Sequence, residues 1–341
     1  MASRIPKTLY HYCSLPNFQK IIEGKTLWLT DISQSNDSLE MKWLYDEFLL
    51  YFTKKQTEYF QKVISIQEKY NELHKYDKND SRSYIQYLEE TRNNPPPKIP
   101  EYDPKKIEEV ENSIRLYQNM GVYLSFVFCL SELPDSLSQW RGYADDGCGI
   151  AIGFKKAYFS LFNQFDGTEI EDLFSFNRIM YGSKNAQLYF DEVSEFSKIS
   201  ENSSSDDIIR IAEKTLFKIS RRAASYKNES FKEEKEWRIT ITIKNFNYTS
   251  DTFDIGLLNS KELFLGKYCF DKIAFASTKD KLIPHIELRL PELKDAISDI
   301  YIGPKSKLTI DQLRMFLTAN GLLSSTDDKS IAIHHSASSY R

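Results

Sequence analysis

The run Arg238-Ile239-Thr240-Ile241-Thr242-Ile243 places isoleucine at every second position and a polar residue between. Only an extended strand uses a period of two, because its successive side chains point to opposite faces. One face is expected to meet a core and the other to look outward. Working outward from this strand, further short runs rich in β-branched and aromatic residues occupy 122–130, 149–154, 272–276, 286–290, 297–302 and 330–334, so the strands concentrate after Gly121. Thr309 to Asn320 reads as a helix, with Thr309 as N-cap, Leu313, Phe316 and Leu317 turned inward, and Gly321 as the stop.

The first third of the chain has a different texture. No glycine occurs between Gly24 and Gly121 and no proline between Pro16 and Pro95, as expected of a mainly helical stretch. Leu44, Phe48, Tyr51 and Phe52 fall at helical spacing, and Tyr59, Phe60, Val63 and Ile64 continue an apolar side. After the prolines at 95, 96, 97, 100 and 104, the helical phase resumes through Ile107, Val110, Ile114 and Tyr117. Residues 155–230 read as a second, mostly helical interruption with a polar loop from Ser200 to Asp207. The expected fold class is α+β: a mixed or antiparallel sheet formed by residues 1–40 plus 121–341, with 41–120 as a helical insertion subdomain.

Composition bounds the function. The 341 residues carry 45 Lys+Arg against 49 Asp+Glu, a net charge of −4, so no global basic field draws in nucleic acid or anionic lipid. Lys218, Arg221, Arg222 and Lys227 make a basic patch too sparse for nucleic acid. Cys13, Cys129, Cys148 and Cys269 stand singly, without the spacing of a zinc site, and are expected to be reduced and metal-free. No signal-peptide pattern and no run of eighteen apolar residues is present. A cytoplasmic location and no membrane contact are therefore expected.

Four islands hold more polar and aromatic character than packing requires. They are Leu9 to Ser14, Thr30-Asp31 through Asn36-Asp37-Ser38-Leu39-Glu40, Ser138 to Asp145, and Glu233-Glu234-Lys235-Glu236-Trp237-Arg238. With Leu27-Trp28-Leu29-Thr30, Cys129-Leu130-Ser131, Gly149 to Phe154, Ile300 to Lys305 and the closing Ser336 to Arg341, their order resembles the DUF2971 family of uncharacterised bacterial proteins. The resemblance runs the length of the chain, apart from the two helical interruptions. Ser35, Ser38, Gln139 and Ser339 depart from the family pattern, which has Phe, Pro, Met and Pro there.

The opening stretch, from Tyr10-His11-Tyr12 to Leu27-Trp28-Leu29, also resembles the start of the ADP-ribosyltransferase fold. That likeness implies a sheet core of the same type and a histidine, tyrosine and glutamate in that order. Here they are His11, Tyr143 and Glu236, catalytic on NAD as the substrate cofactor. Tyr10, Tyr12, Asn36, Asp37, Glu40, Trp140, Arg238 and Arg341 are the candidates for holding the cofactor. Departure of nicotinamide leaves an oxocarbenium-like ribose, which a nearby carboxylate stabilises as it does in glycoside hydrolysis. The leading expectation is an NAD-cleaving enzyme, transferring or hydrolysing ADP-ribose, as a bacterial toxin or anti-phage effector.

Each residue also has a plainer reading. His11 can be a core or turn residue, Asn36, Asp37 and Glu40 a helix cap, Trp140 and Tyr143 core aromatics, Glu236 half of a salt bridge, and Arg341 an anchor for the terminus. Two other classes of function fit the same residues. One is a non-enzymatic sensor or adaptor that binds a nucleotide in the cleft and a protein partner through the tyrosine-rich stretch 41–120. The other is a metal-dependent nuclease or phosphoesterase that would gather Asp37, Glu40 and Glu236 around Mg²⁺.

Overall fold

A computed structural model of the chain describes residues 6–35, 40–73, 75, 79–93, 95, 104–120, 123–159, 174–198, 203–244, 263–265, 268–277, 280–324 and 331–340. The strands are β1 (Thr8–Cys13), β2 (Thr26–Asp31), β3 (Tyr123–Ser131), β4 (Ile150–Lys155), β5 (Phe174–Arg178), β6 (Met180–Tyr181), β7 (Tyr226–Lys227), β8 (Glu236–Lys244), β9 (Leu263–Leu265), β10 (Tyr268–Ser277), β11 (Leu282–Arg289), β12 (Ile297–Ile302) and β13 (Ala332–His335). The helices are α1 (Leu15–Gly24), α2 (Glu40–Leu73), α3 (Ser81–Asn93), α4 (Pro104–Met120), α5 (Leu137–Tyr143), α6 (Gly182–Val193), α7 (Ser205–Arg222), α8 (Leu293–Ala296) and α9 (Ile310–Ala319). The described residues divide into a sheet unit, 1–41 with 121–182 and 224–341, and a helical unit, 42–120 with 183–223.

The sheet is mixed. Its order is β13-β12-β4-β1-β3-β2-β11-β10-β9, and β8 pairs with β3 and β5 off this path. Pairing is antiparallel except between β12 and β13. β8 follows β3 along its whole length, from Tyr123↔Lys244 to Ser131↔Glu236. β1 and β2 must therefore share the other edge of β3. β2 takes Thr30↔Val127 and Asp31↔Phe126, whereas β1 takes Tyr10↔Ser131. The two strands part between these points, joined by α1.

Ile239, Ile241 and Ile243 turn into the main apolar core, beside Phe126, Phe128 and Leu130 of β3 and Phe174 and Phe176 of β5. The other face of β8 departs from the expectation of a polar surface. Glu236, Arg238, Thr240 and Thr242 are all buried, and Thr242 Oγ1 lies 3.3 Å from Ser125 Oγ. Alternation sorts side chains between two faces but does not say whether the polar face is covered. The C-terminal helix follows its sequence: Thr309 Oγ1 accepts from Gln312 N and the Gln312 side chain returns to Thr309 N, a reciprocal cap.

The interruption 155–230 is less helical than its sequence suggests, since β5, β6 and β7 lie within it. Residues 200–202 of the expected polar loop are outside the described residues. Its later part starts α7, with Ser204 and Asp207 capping each other. The helices of 183–223 also group with 42–120 rather than with the sheet. The reason lies in α2, whose stripe of Leu44, Phe48, Tyr51 and Phe52 is buried. Phe190 of α6 packs on Phe48 at 5.4 Å between ring centres, and Tyr51 donates to Asp191 at 2.7 Å. α3 buries no residue. Farther along α2 the apolar side fades, and Ile64 is exposed.

Candidate active site

A pocket of about 40 Å³ in the sheet unit is lined by Tyr10, His11 and Tyr12 of β1, Cys129 and Leu130 of β3, Gln139 and Tyr143 of α5, and Glu234 and Glu236 at the head of β8. The three residues of the expected His/Tyr/Glu set thus line one pocket. A volume of this size holds little more than ordered water.

The floor is a network of buried charges. Lys227 on β7 donates to Glu234 Oε2 at 2.7 Å and to Glu236 Oε2 at 3.2 Å. Arg238 grips Glu236 with two bonds, Nε to Oε1 at 2.6 Å and Nη2 to Oε2 at 3.0 Å, and its Nη1 donates to the Ala224 carbonyl at 2.9 Å. Two carboxylates and two cations give formal neutrality, and the fork geometry of Arg238 suits a carboxylate better than an ammonium would. Lys227 is thereby removed from the surface patch expected with Lys218, Arg221 and Arg222.

The same network pushes the two glutamates apart. Burial raises the carboxyl of Glu236, but the charges of Arg238 and Lys227 outweigh it and hold the group down at about 2. For Glu234 burial prevails over Lys227, and its carboxyl is raised above the ordinary glutamate value. Tyr143, 39% exposed at the end of α5, donates its hydroxyl to Glu234 Oε1 at 2.9 Å. Tyr181 OH accepts from Glu236 N at 2.8 Å. Lys235, between the glutamates, has left-handed φ 44 and ψ 52. That turn lets Glu234 and Glu236 both enter the interior while Lys235 stays exposed.

β1 supplies the facing wall. Tyr10 donates to Asp299 Oδ2 at 3.0 Å, and Tyr12 donates to the Leu133 carbonyl at 2.8 Å while accepting from Ser136 N at 3.0 Å. His11 Nδ1 lies 2.9 Å from the Cys129 carbonyl, and burial lowers its pKa to about 4. The ring is therefore neutral near pH 7, with the Nδ1 proton on the carbonyl. α5 is fixed by Asp135, which accepts from Trp140 Nε1 at 2.6 Å, Ser336 Oγ at 2.6 Å and Ala337 N at 2.7 Å. Beyond it, Tyr340 OH and Lys305 Nζ each reach Asp146 at 2.7 Å.

Two residues expected to touch a cofactor lie behind the pocket instead. Trp140 is fully buried, edge-on to Tyr12, because its indole N–H is engaged by Asp135. Arg238 is buried with Glu236 as its ligand. Asn36, Asp37 and Arg341 lie outside the described residues; Glu40 opens α2, and its side chain is outside them too. Among the described residues, no group of three His, Cys, Asp or Glu side chains is placed to hold a metal ion. Cys13, Cys129 and Cys148 form no disulfide with one another, and the Cys269 side chain is not among those described. No helix among the described residues is long and apolar enough to cross a membrane.

Sequence reasoning missed Glu234, Lys227 and Tyr181. A signal for Glu234 was present: stepping back by two from Arg238 and Glu236 lands on it. Lys227 and Tyr181 carry no such signal, since β6 and β7, which present them, are two-residue strands paired, among the described residues, with each other.

Residues 139–239 match the model of a family described as protein of unknown function (DUF2971). The matched stretch contains Gln139, Tyr143, Lys227, Glu234, Glu236 and Arg238, so it spans one wall and the charged floor of the pocket. No curated protein and no solved structure matches the chain.

Proposed function

We propose that the chain cleaves NAD at the bond between nicotinamide and ribose, passing the ADP-ribosyl group to water or to another acceptor. The observation that carries this reading is the pair Glu234 and Glu236, which line one pocket while their surroundings push their pKa values in opposite directions. Such divergence separates a carboxylate held charged by its cations from one whose burial keeps its proton to higher pH than an ordinary glutamate. As the C1′–N bond breaks, its electron pair goes to the nicotinamide nitrogen and leaves the ring neutral. Positive charge develops on the ribose, and ionised Glu236 lowers the energy of that state. The attacking oxygen forms the new bond to C1′ and passes its proton to Glu234.

Tyr143 is the movable part of this scheme. Its hydroxyl occupies Glu234 Oε1 and its ring stands at the pocket edge. Rotation about its side-chain bonds would free the carboxylate and enlarge a pocket otherwise too small for a pyridine ring. A second reading, a nucleotide-binding sensor without turnover, draws on one observation: both oxygens of Glu236 are already bonded to Arg238. Incubating the protein with NAD and measuring released nicotinamide separates the two. Release by the wild type and its loss in Glu236→Gln support cleavage; an inert wild type removes it.

A further inference from the structure

Where β1 and β2 part along β3, a side chain stands in for the missing strand. His11 Nδ1 donates to the Cys129 carbonyl at 2.9 Å in the middle of the gap, between the Tyr10↔Ser131 and Thr30↔Val127 pairings. The ring stacks on Phe128 with centroids 4.1 Å apart. With the proton on Nδ1, Nε2 is a bare acceptor. His11 is a wall of two cavities, the glutamate pocket and a larger one of about 150 Å³ bounded by α1 and β2. A cavity of roughly this volume accepts a six-membered aromatic ring.

The larger cavity has the parts of a ring-binding site. Trp28 on β2 is braced from behind by His285, whose ring stacks on it at 4.1 Å and 24°. Thr26 and Thr30, on the same face of β2, contribute hydroxyls, each able to donate and accept. Exposed Lys20 of α1 lies at the mouth with its ammonium 4.9 Å from the Trp28 ring centre. That position is one an aromatic ligand would take over, and the long Lys20 stem can carry the charge outward to an anionic substituent.

We propose that this cavity binds a pyrimidine nucleotide, with the base against Trp28, a base N–H donating to His11 Nε2, and the phosphate paired with Lys20. The size of the cavity selects one ring over two. The hydroxyls and Nε2 select a heterocycle with donors and acceptors over a hydrocarbon, and Lys20 selects an anion. The site shares His11 with the glutamate pocket but stands even if that pocket is inert towards NAD.

Calorimetric titration of the full chain with cytidine monophosphate tests this. Saturable one-to-one binding is expected. Lys20→Gln should weaken it by about tenfold, the scale of one charge-assisted bond, while leaving cytidine unchanged. Trp28→Leu, with its fold checked by thermal melting, should abolish binding of both, and Glu236→Gln should alter neither. Adenosine monophosphate, with its fused ring, should bind about tenfold more weakly because the cavity must expand. No heat at millimolar nucleotide overturns the proposal, as does equal affinity for the purine. Loss of binding in Glu236→Gln with full retention in Lys20→Gln would also overturn it, by placing the nucleotide in the other pocket.

Discussion

Lys227 Nζ stands 2.7 Å from Glu234 Oε2 and 3.2 Å from Glu236 Oε2, so one buried ammonium serves two carboxylates. Its own side chain is only 4% exposed, and theirs 11% and 6%. Replacing Lys227 by Met keeps the bulk and removes the charge. Glu236 then still has Arg238, but Glu234 is left with Tyr143 alone. Removing one partner of a buried pair costs about 3–5 kcal/mol. Urea unfolding of Lys227→Met should show a loss of stability of that size, read as a lower midpoint at unchanged slope. Adding Glu234→Gln should recover part of it, because the orphaned charge disappears. An additive double variant would mean that Lys227 and Glu234 are not coupled.

The depressed carboxyl of Glu236 makes stability depend on acid. Its folded value of about 2 lies below the ordinary 4.5. Stability from such a group is fully present above the unfolded value and is lost as pH falls from about 4.5 through about 2. The size at neutral pH is on the order of 3 kcal/mol. Glu234 acts with the opposite sign: its raised carboxyl favours the folded state below the unfolded value, and that contribution is lost as pH rises through the folded one. In urea titrations from pH 7 to pH 2, the advantage of wild type over Glu236→Gln should shrink below pH 5. A constant difference across that range would show that Glu236 titrates normally.

Lys235 offers a test of the backbone. Its φ of 44 is a left-handed conformation that lets Glu234 and Glu236 both turn inward. Glycine adopts it freely, whereas a β-branched residue adds roughly 1–2 kcal/mol or more of steric cost. Lys235→Gly should therefore melt within a few degrees of wild type, and Lys235→Ile clearly lower. Nicotinamide release by the isoleucine variant should fall too, since the glutamates are aimed by this turn.

What was legible in the sequence follows from how local each signal is. The alternation of Ile239, Ile241 and Ile243 and the cap at Thr309 depend on near neighbours, and both are present in the structure. The burial of Thr240 and Thr242, the grouping of α6 and α7 with α2, and the strand Phe174–Arg178 depend on what packs from far along the chain. The site divides in the same way. His11, Tyr143 and Glu236 come from separate islands yet line one pocket. Glu234 was hidden in a charged run that reads as solvated, because burial of a carboxylate depends on partners such as Lys227, 2.7 Å away, which the charge pattern alone does not show. The bridging position of His11 depends on two strands sharing one edge of a third, a property of topology that no local pattern encodes.

The two glutamates should separate cleanly in kinetics. In the proposed cleavage Glu236 faces charge that exists only in the transition state, so Glu236→Gln should lower kcat by about 10²–10³ with little change in KM. Glu234 acts only when deprotonated, so kcat should rise with pH along a limb whose midpoint lies above an ordinary glutamate, in line with its raised carboxyl. Glu234→Gln should erase that limb and leave a slow, flat residual rate. The bond from Tyr143 lowers the Glu234 value. Tyr143→Phe, which keeps the ring but removes the hydroxyl, should therefore move the free-enzyme limb, read in kcat/KM, to higher pH, whereas Tyr143→Ala and His11→Ala should chiefly raise KM. Steady-state rates of nicotinamide release from pH 5 to 9 provide the measurement. A limb unchanged in Glu234→Gln would take this residue out of the proton transfer, and one unmoved in Tyr143→Phe would show that the hydroxyl does not tune it.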